Sequence, residues 1–135
     1  MPRFMMIIKA NADSEAGVMP SAEMLSEMGT YNQMLIDSGR MLDGAGLQPS
    51  SKAARVNFDG DKRSVTDGPF AETKELIAGY WIIQAASLAE AIDLAKQVPN
   101  PTGEQGQIEI RQLFEMEDFP DVPDDVRKQY EEHAR

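Results

Sequence analysis

The sequence contains no cysteine, one histidine and one tryptophan among its 135 residues. The absence of cysteine excludes a disulfide framework, a thiolate nucleophile and a zinc–thiolate centre. The single histidine, His133, lies close to the C-terminus, so the body of the chain has no imidazole that can act as a base near neutral pH. Cysteine and histidine chemistry are therefore not expected in the body of the chain.

Positive charge and long apolar runs are also scarce. The chain has 13 Lys and Arg against 23 Asp and Glu, a formal net charge of -10, which repels phosphate backbones and anionic lipid headgroups. The most apolar stretch, Leu76–Ala86, is well below the ~20 residues of a membrane-spanning helix. The short run Phe4–Ile8 lacks the pattern of a secretory signal. We therefore predict no nucleic-acid partner, no membrane association and a cytoplasmic location.

Two short motifs fall short of known ligand loops. Gly44 and Gly46 lack the third glycine and the strand-to-helix context of a dinucleotide-binding loop. Asp59–Asp61 lacks the glutamate that a calcium loop requires at its last ligand position. The sequence accordingly predicts neither a cofactor nor a metal site.

The remaining composition is that of one globular domain. Hydrophobic residues make up 41% and charged residues 27%, close to the average for folded domains. Acidic residues concentrate at the end, where Glu115–Arg135 holds eight carboxylates against three basic side chains. Pro120 and Pro123 favour extended backbone there. We predict a domain over residues 1–116 and an acidic tail over 117–135, in which a short helix begins at Asp124.

Strand and helix periodicities alternate up to Phe114. Apolar residues after Ser21 recur at helical spacing until Gly39, and Ser87 with Glu90 forms a capping-box pattern. The predicted elements are a strand over Phe4–Lys9, a helix from Ser21 to Gly39, an extended segment over Met41–Leu47, a hairpin of Ala54–Phe58 with Arg63–Thr66, a strand over Leu76–Ala85, a helix from Ser87 to Pro99, and a strand from Ile108 to Phe114.

This order predicts an α+β fold of the ferredoxin-like split βαβ type, with two helices on one face of an antiparallel sheet. The other face is also apolar. Within the strand over Leu76–Ala85, the side chains of Ile77, Trp81 and Ile83 point one way and those of Ala78, Tyr80 and Ile82 point the other. Two helices cover only one face, so we predict a homodimer in which a second sheet covers the other.

The segment Val65–Glu75 reads VTDGPFAETKE and resembles the signature of the YCII-related, or DGPF-domain, family. Gly44–Pro49 and Gly79–Trp81 are similar to that family's other marked stretches, and the resemblance extends over Phe4–Phe114. It implies a bacterial protein that forms a dimeric α+β barrel with a cleft near the sheets. Some members are encoded beside sigma factors, which implies at most a regulatory association.

A related branch of that family carries a His and Asp pair proposed to act in catalysis. This sequence departs from the pattern, because its only histidine lies in the acidic tail. A His/Asp mechanism is therefore not expected here.

The DGPF segment has two interpretations, which both remain open. In the structural one, Asp67 accepts hydrogen bonds from its own turn, Gly68 adopts unusual backbone angles and Phe70 anchors the loop in the core. In the functional one, Asp67 and Glu72 are catalytic carboxylates at a cleft. The predicted ligand contacts are Arg40 or Lys74 for an anion, the Tyr80 hydroxyl, and the loop residues Gly68 and Phe70.

Three functions follow as alternatives. The first is a homodimeric module that binds a small molecule. The second is an enzyme that uses Asp67 or Glu72 for proton transfer on a small organic substrate. The third is a regulatory partner whose acidic tail contacts a basic protein surface.

Overall fold

The computed structural model describes residues 1–133 and has an α+β fold. In chain order its elements are β1 (Arg3–Lys9), α1 (Ala12–Glu15), α2 (Ala22–Asp37), β2 (Met41–Gly46), β3 (Ala54–Asp59), β4 (Lys62–Asp67), β5 (Ile77–Gln84), α3 (Leu88–Lys96), β6 (Ile108–Gln112) and α4 (Asp124–His133). Single turns of 3-10 helix lie at Ser50–Lys52, Thr73–Glu75 and Met116–Asp118. The predicted strands and helices are confirmed, whereas α1 was not predicted.

The two longer helices begin at the predicted caps. The Ser21 hydroxyl accepts a hydrogen bond from the backbone N–H of Met24 at 3.1 Å, and the Ser87 hydroxyl accepts one from Glu90 at 3.2 Å. The Glu90 carboxylate accepts from the Ala86 N–H at 3.4 Å instead of completing the capping box on Ser87. The same carboxylate forms an ion pair with Arg40, which draws it away from the cap.

The four-stranded sheet has the order β2-β5-β1-β6, and every pairing within it is antiparallel. Helices α2 and α3 contribute to the core on one face of this sheet. The core residues are Phe4, Met6, Tyr31, Leu35, Trp81, Ile83, Ala85 and Ala91. The rings of Tyr31 and Trp81 meet edge to face at 5.3 Å. The Tyr31 hydroxyl donates to the Leu94 carbonyl at 2.7 Å, so its buried polar tip has a partner.

The second sheet face lies away from the helices. Met5 and Ile7 of β1 and Ala78, Tyr80 and Ile82 of β5 alternate with the core residues and are only partly buried. We call these five residues the open sheet face. The register places Met5 opposite Ile82 and Ile7 opposite Tyr80, so the apolar side chains of neighbouring strands adjoin.

The alternation predicted for β5 is confirmed except at its first residue. Ile77 is 37% exposed, although it was grouped with the buried Trp81 and Ile83. The register between β1 and β5 shifts between Ile8 and Lys9, and this irregularity removes Ile77 from the alternation.

Strands β3 and β4 pair with each other and form a separate two-stranded sheet, in which every residue is exposed. The start of β1 is joined to the segment after β6, because the Arg3 guanidinium binds both carboxylate oxygens of Glu115, at 2.7 and 3.0 Å. Helix α4 begins at Asp124, as predicted. Within residues 1–133, no helix has the length and apolar character needed to cross a membrane.

Candidate functional site

Residues 67–76, which we call the DGPF loop, leave β4 at a point where two backbone segments almost touch. The Gly68 N–H donates to the Ala53 carbonyl at 2.9 Å. A Cβ atom at position 68 would lie 1.6 Å from the carbonyl oxygen of Ser50, so only glycine fits here. The φ angle of Gly68 is not positive. Glycine is therefore required by this close approach and not by the unusual backbone angles that the sequence suggested.

Ser50 connects three segments beneath the loop. It is the one buried polar residue among those described, with 6% of its surface exposed. Its hydroxyl donates to Oε1 of Glu15, and its N–H donates to Oε2 of Glu15 at 3.0 Å. The same hydroxyl accepts from the Phe70 N–H at 3.1 Å. Ser50 thus holds the end of α1 and the DGPF loop against the connection between β2 and β3.

The hydrogen bonds from Ser50 also affect the titration of Glu15. They stabilise the carboxylate and hold the pKa of Glu15 below its ordinary value. Sequence reasoning missed this pair, because Glu15 and Ser50 are 35 positions apart. The sequence did contain one local indication of helix α1, which carries Glu15. Asn11 is a helix-capping residue type, and its side chain accepts a hydrogen bond from the Ser14 N–H at 2.8 Å.

Phe70 does not anchor the loop in the core, as the sequence suggested. Its ring is partly buried outside the core cluster, and the Arg55 guanidinium carbon lies 3.7 Å from the ring centroid. This is the geometry of a cation–π contact. A side chain of β3 and a residue of the DGPF loop therefore pack together at the base of the hairpin.

Asp67, Glu72 and Lys74 are exposed. Among the described residues, their side chains form no hydrogen bond or ion pair, so the turn is held by Gly68 and Phe70 and not by the Asp67 carboxylate. The two carboxylates and the ammonium group are thus accessible to a ligand from solvent.

Arg40 lies at the far end of β5 from the DGPF loop. Its carbonyl accepts from the Gln84 N–H at 2.9 Å, whereas the loop enters β5 at Ile77. Eight strand residues span roughly 25 Å. Arg40 is also ion-paired with Glu90. Within one chain, Arg40 and Asp67 therefore do not reach the same small ligand.

Tyr80 lies in the middle of the open sheet face, between Ile7 of β1 and Ala45 of β2. A depression of about 570 Å³ lies elsewhere, between α2 and the segment after α3, where Met34 and Pro99 line it. The candidate site of a single chain thus combines the partly buried open sheet face with the exposed charged groups Asp67, Glu72 and Lys74. In the part of the chain that the structure describes, no three His, Asp or Glu side chains group as metal ligands would.

Comparison with known proteins shows a family match and a relative. The model of the YCII-related domain family matches residues 2–117. "Uncharacterized protein R00369" of Rhizobium meliloti (strain 1021) is 33% identical over 90 residues, which cover 67% of this chain and 73% of the relative. The DGPF loop and all the strands of both sheets lie within the residues that the family model matches.

Proposed function

The chain belongs to the YCII-related domain family, and from this premise we propose that it is a homodimeric module that binds a small molecule. The observation that carries the proposal is the open sheet face. Its five residues are alanine, aliphatic or aromatic, and α2 and α3 lie on the opposite side of the sheet. Apolar area of this kind marks an interface or a ligand site.

The strand order supports the dimer. The order β2-β5-β1-β6, with α2 and α3 as the two crossover helices, fits a ferredoxin-like subunit. When two such sheets face each other, they form a dimeric α+β barrel, and the apolar side chains of both open faces leave water.

The ligand site of this dimer lies between the two open sheet faces, with the DGPF loop at its edge. Tyr80 provides a hydroxyl in apolar surroundings, and Asp67, Glu72 and Lys74 provide charged groups at the edge. Small-molecule sites combine an apolar lining with a few polar groups in this way. The expected ligand is a small organic molecule with both apolar and polar parts, and Lys74 is the better candidate for contact with an anionic group.

Sedimentation equilibrium tests the dimer. We expect a mass of about twice 14.9 kDa for the natural chain. Ile82→Glu should give monomer or unfolded protein, because it places a carboxylate in the interface. Ile36→Glu introduces the same charge at a residue of α2 that is 54% exposed, and it should remain a dimer. A monomeric natural chain at micromolar concentration would contradict the proposal.

A thermal-shift screen of metabolites tests ligand binding. A bound compound should raise the melting temperature, and the shift should grow with the logarithm of its concentration once that concentration exceeds the Kd. Tyr80→Phe should weaken that shift, whereas Tyr130→Phe removes a hydroxyl of the tail and should leave it unchanged. A compound that stabilises the natural chain and both variants equally would place the site elsewhere.

The same compound distinguishes binding from catalysis. If Asp67 transfers a proton, Asp67→Asn should bind the compound but not convert it, because an amide does not exchange the proton. We expect the natural chain and Asp67→Asn both to bind without conversion. Conversion by the natural chain alone would establish the acid–base alternative.

A further inference from the structure

The hairpin Ala54–Asp67, which we call the arm, has two chemically different faces. On one face, Val56 is paired with Val65, and Phe58 lies beside them. On the other, the Asn57 side chain donates to the Thr66 hydroxyl at 2.8 Å. This alternation is typical of a strand pair with one covered face and one solvated face.

Within the described chain, the contact on the apolar face of the arm is that of Phe58 with Arg63, whose guanidinium carbon lies 4.3 Å from the ring centroid. Val56, Phe58 and Val65 are 59%, 74% and 65% exposed. A two-stranded hairpin is marginally stable in water unless its apolar face packs against something. At the base, however, the arm is fixed by the bond from Gly68 to Ala53 and by the contact between Arg55 and Phe70. The arm is thus held in place while its apolar face is exposed.

We propose that a second copy of this chain covers the apolar face of the arm, so that the arm is part of the dimer interface. This inference rests on the proposed dimer and extends it. The arm is not part of the sheet-to-sheet contact, and the inference gives it a role in the dimer. The DGPF loop then lies at the base of an arm that contacts the partner.

Interface area favours a second copy as the occupant. Four strands at ~4.8 Å spacing and a length of about 20 Å give one whole face of the sheet, of which the open sheet face is the central part, a flat area on the order of 400 Å². A stable interface of standard size buries roughly 800 Å² on each partner. The three apolar side chains of the arm add on the order of 300 Å². The apolar side chains of the arm thus enlarge the apolar area that a second copy can cover.

Charge also favours a second copy. The arm holds three basic and three acidic side chains and is neutral, so the rest of the chain carries the net charge of -10. Two such acidic bodies repel each other, and a neutral arm is the segment that approaches another copy without added repulsion.

A pair of neighbouring substitutions tests the proposal in the full-length chain. Val65→Asp and Ser64→Asp introduce the same charge on β4, the first on the apolar face of the arm and the second on the polar face. We expect Val65→Asp to weaken dimerisation by about tenfold or more in sedimentation velocity, because its carboxylate enters an apolar contact. Ser64→Asp should change the dimerisation constant less than about threefold. Phe58→Ser, which adds no charge, should also weaken the dimer.

Circular dichroism checks that each variant is folded. We expect all of them to fold, because the arm lies outside the core. The proposal is overturned if Val65→Asp and Ser64→Asp dimerise equally well, or if the natural chain is monomeric. If Ile82→Glu disrupts the dimer and Val65→Asp does not, the arm proposal fails while the sheet-to-sheet dimer stands. If Val65→Asp weakens the dimer but no metabolite binds, the arm proposal stands and the ligand-binding function fails.

Discussion

Gly68→Ala should be among the most damaging small substitutions in this chain. The added methyl carbon would lie 1.6 Å from the Ser50 carbonyl oxygen, 2.7 Å from the Ser50 carbonyl carbon and 3.3 Å from the Ala53 oxygen. All three are backbone atoms, so no rotamer change relieves the overlap. Restoring ordinary contact requires the two segments to separate by about 2 Å.

That separation breaks the contacts that hold the loop. The bond from the Gly68 N–H to Ala53 and the bond from the Phe70 N–H to Ser50 are 2.9 and 3.1 Å long. Each is worth about 0.5–1.5 kcal/mol, and a buried hydroxyl that loses a partner costs about 1 kcal/mol more. We therefore expect Gly68→Ala to lower the free energy of unfolding by about 2–4 kcal/mol.

Urea unfolding followed by the fluorescence of Trp81 measures this loss, because Trp81 is the only tryptophan and lies in the core. Gly106→Ala is the matched control, since a Cβ at that loop position has no atom within 4 Å. It should change the free energy of unfolding by less than about 1 kcal/mol. Equal stabilities for the two variants would refute the close approach between Gly68 and Ser50.

Further predictions concern groups with a defined partner or titration. Ser50→Ala should lower the free energy of unfolding by about 1–3 kcal/mol in the same urea assay. An unchanged urea midpoint would contradict a stabilising role for the hydrogen bonds of the Ser50 hydroxyl. Glu15→Gln should lower the urea midpoint more at neutral pH than at about pH 3. The lowered pKa of Glu15 gives stability that is present above its ordinary value of 4.5 and is lost as the pH falls through the lowered pKa; equal losses at both pH values would refute this. Tyr31→Phe should remove a step in phenolate absorbance, because burial raises the pKa of Tyr31 to about 12, and persistence of that step would assign it to another tyrosine. A chain that ends at Met116 should stay folded but melt a few degrees lower, because it loses the Phe119 ring, whose centroid lies 5.1 Å from that of Phe114, and an unchanged melting temperature would show that the tail does not dock.

Local patterns predicted most of the fold. Ser21 caps α2, and the hairpin turns at Gly60 with a φ of 60°, because capping and turn preferences depend on residues that are adjacent in sequence. The alternation in β5 predicted the two groups of side chains on opposite sheet faces, except for the exposed Ile77. The predicted helix from Asp124 is also present.

Contacts between distant segments were not predictable from those patterns. The bond between Glu15 and Ser50 and the position of Arg40 beside Glu90 depend on how loops and helix ends meet in three dimensions. For the same reason Phe70 was expected in the core, although it packs under Arg55. The roles of Asp67, Glu72 and Lys74 in binding or catalysis stay predictions. Their exposure makes these groups accessible to a ligand but does not show that they bind one.

The close approach of Gly68 to Ser50 has a consequence for how substitutions in related chains are interpreted. Selection for folding alone removes every side chain at position 68, because backbone atoms of Ser50 occupy that space. A glycine that persists there through evolution records the packing of two loops and carries no information about chemistry. Asp67 is different, because its side chain is exposed and is not required by that packing. If related chains also keep a carboxylate at position 67, that conservation would indicate selection for binding or catalysis.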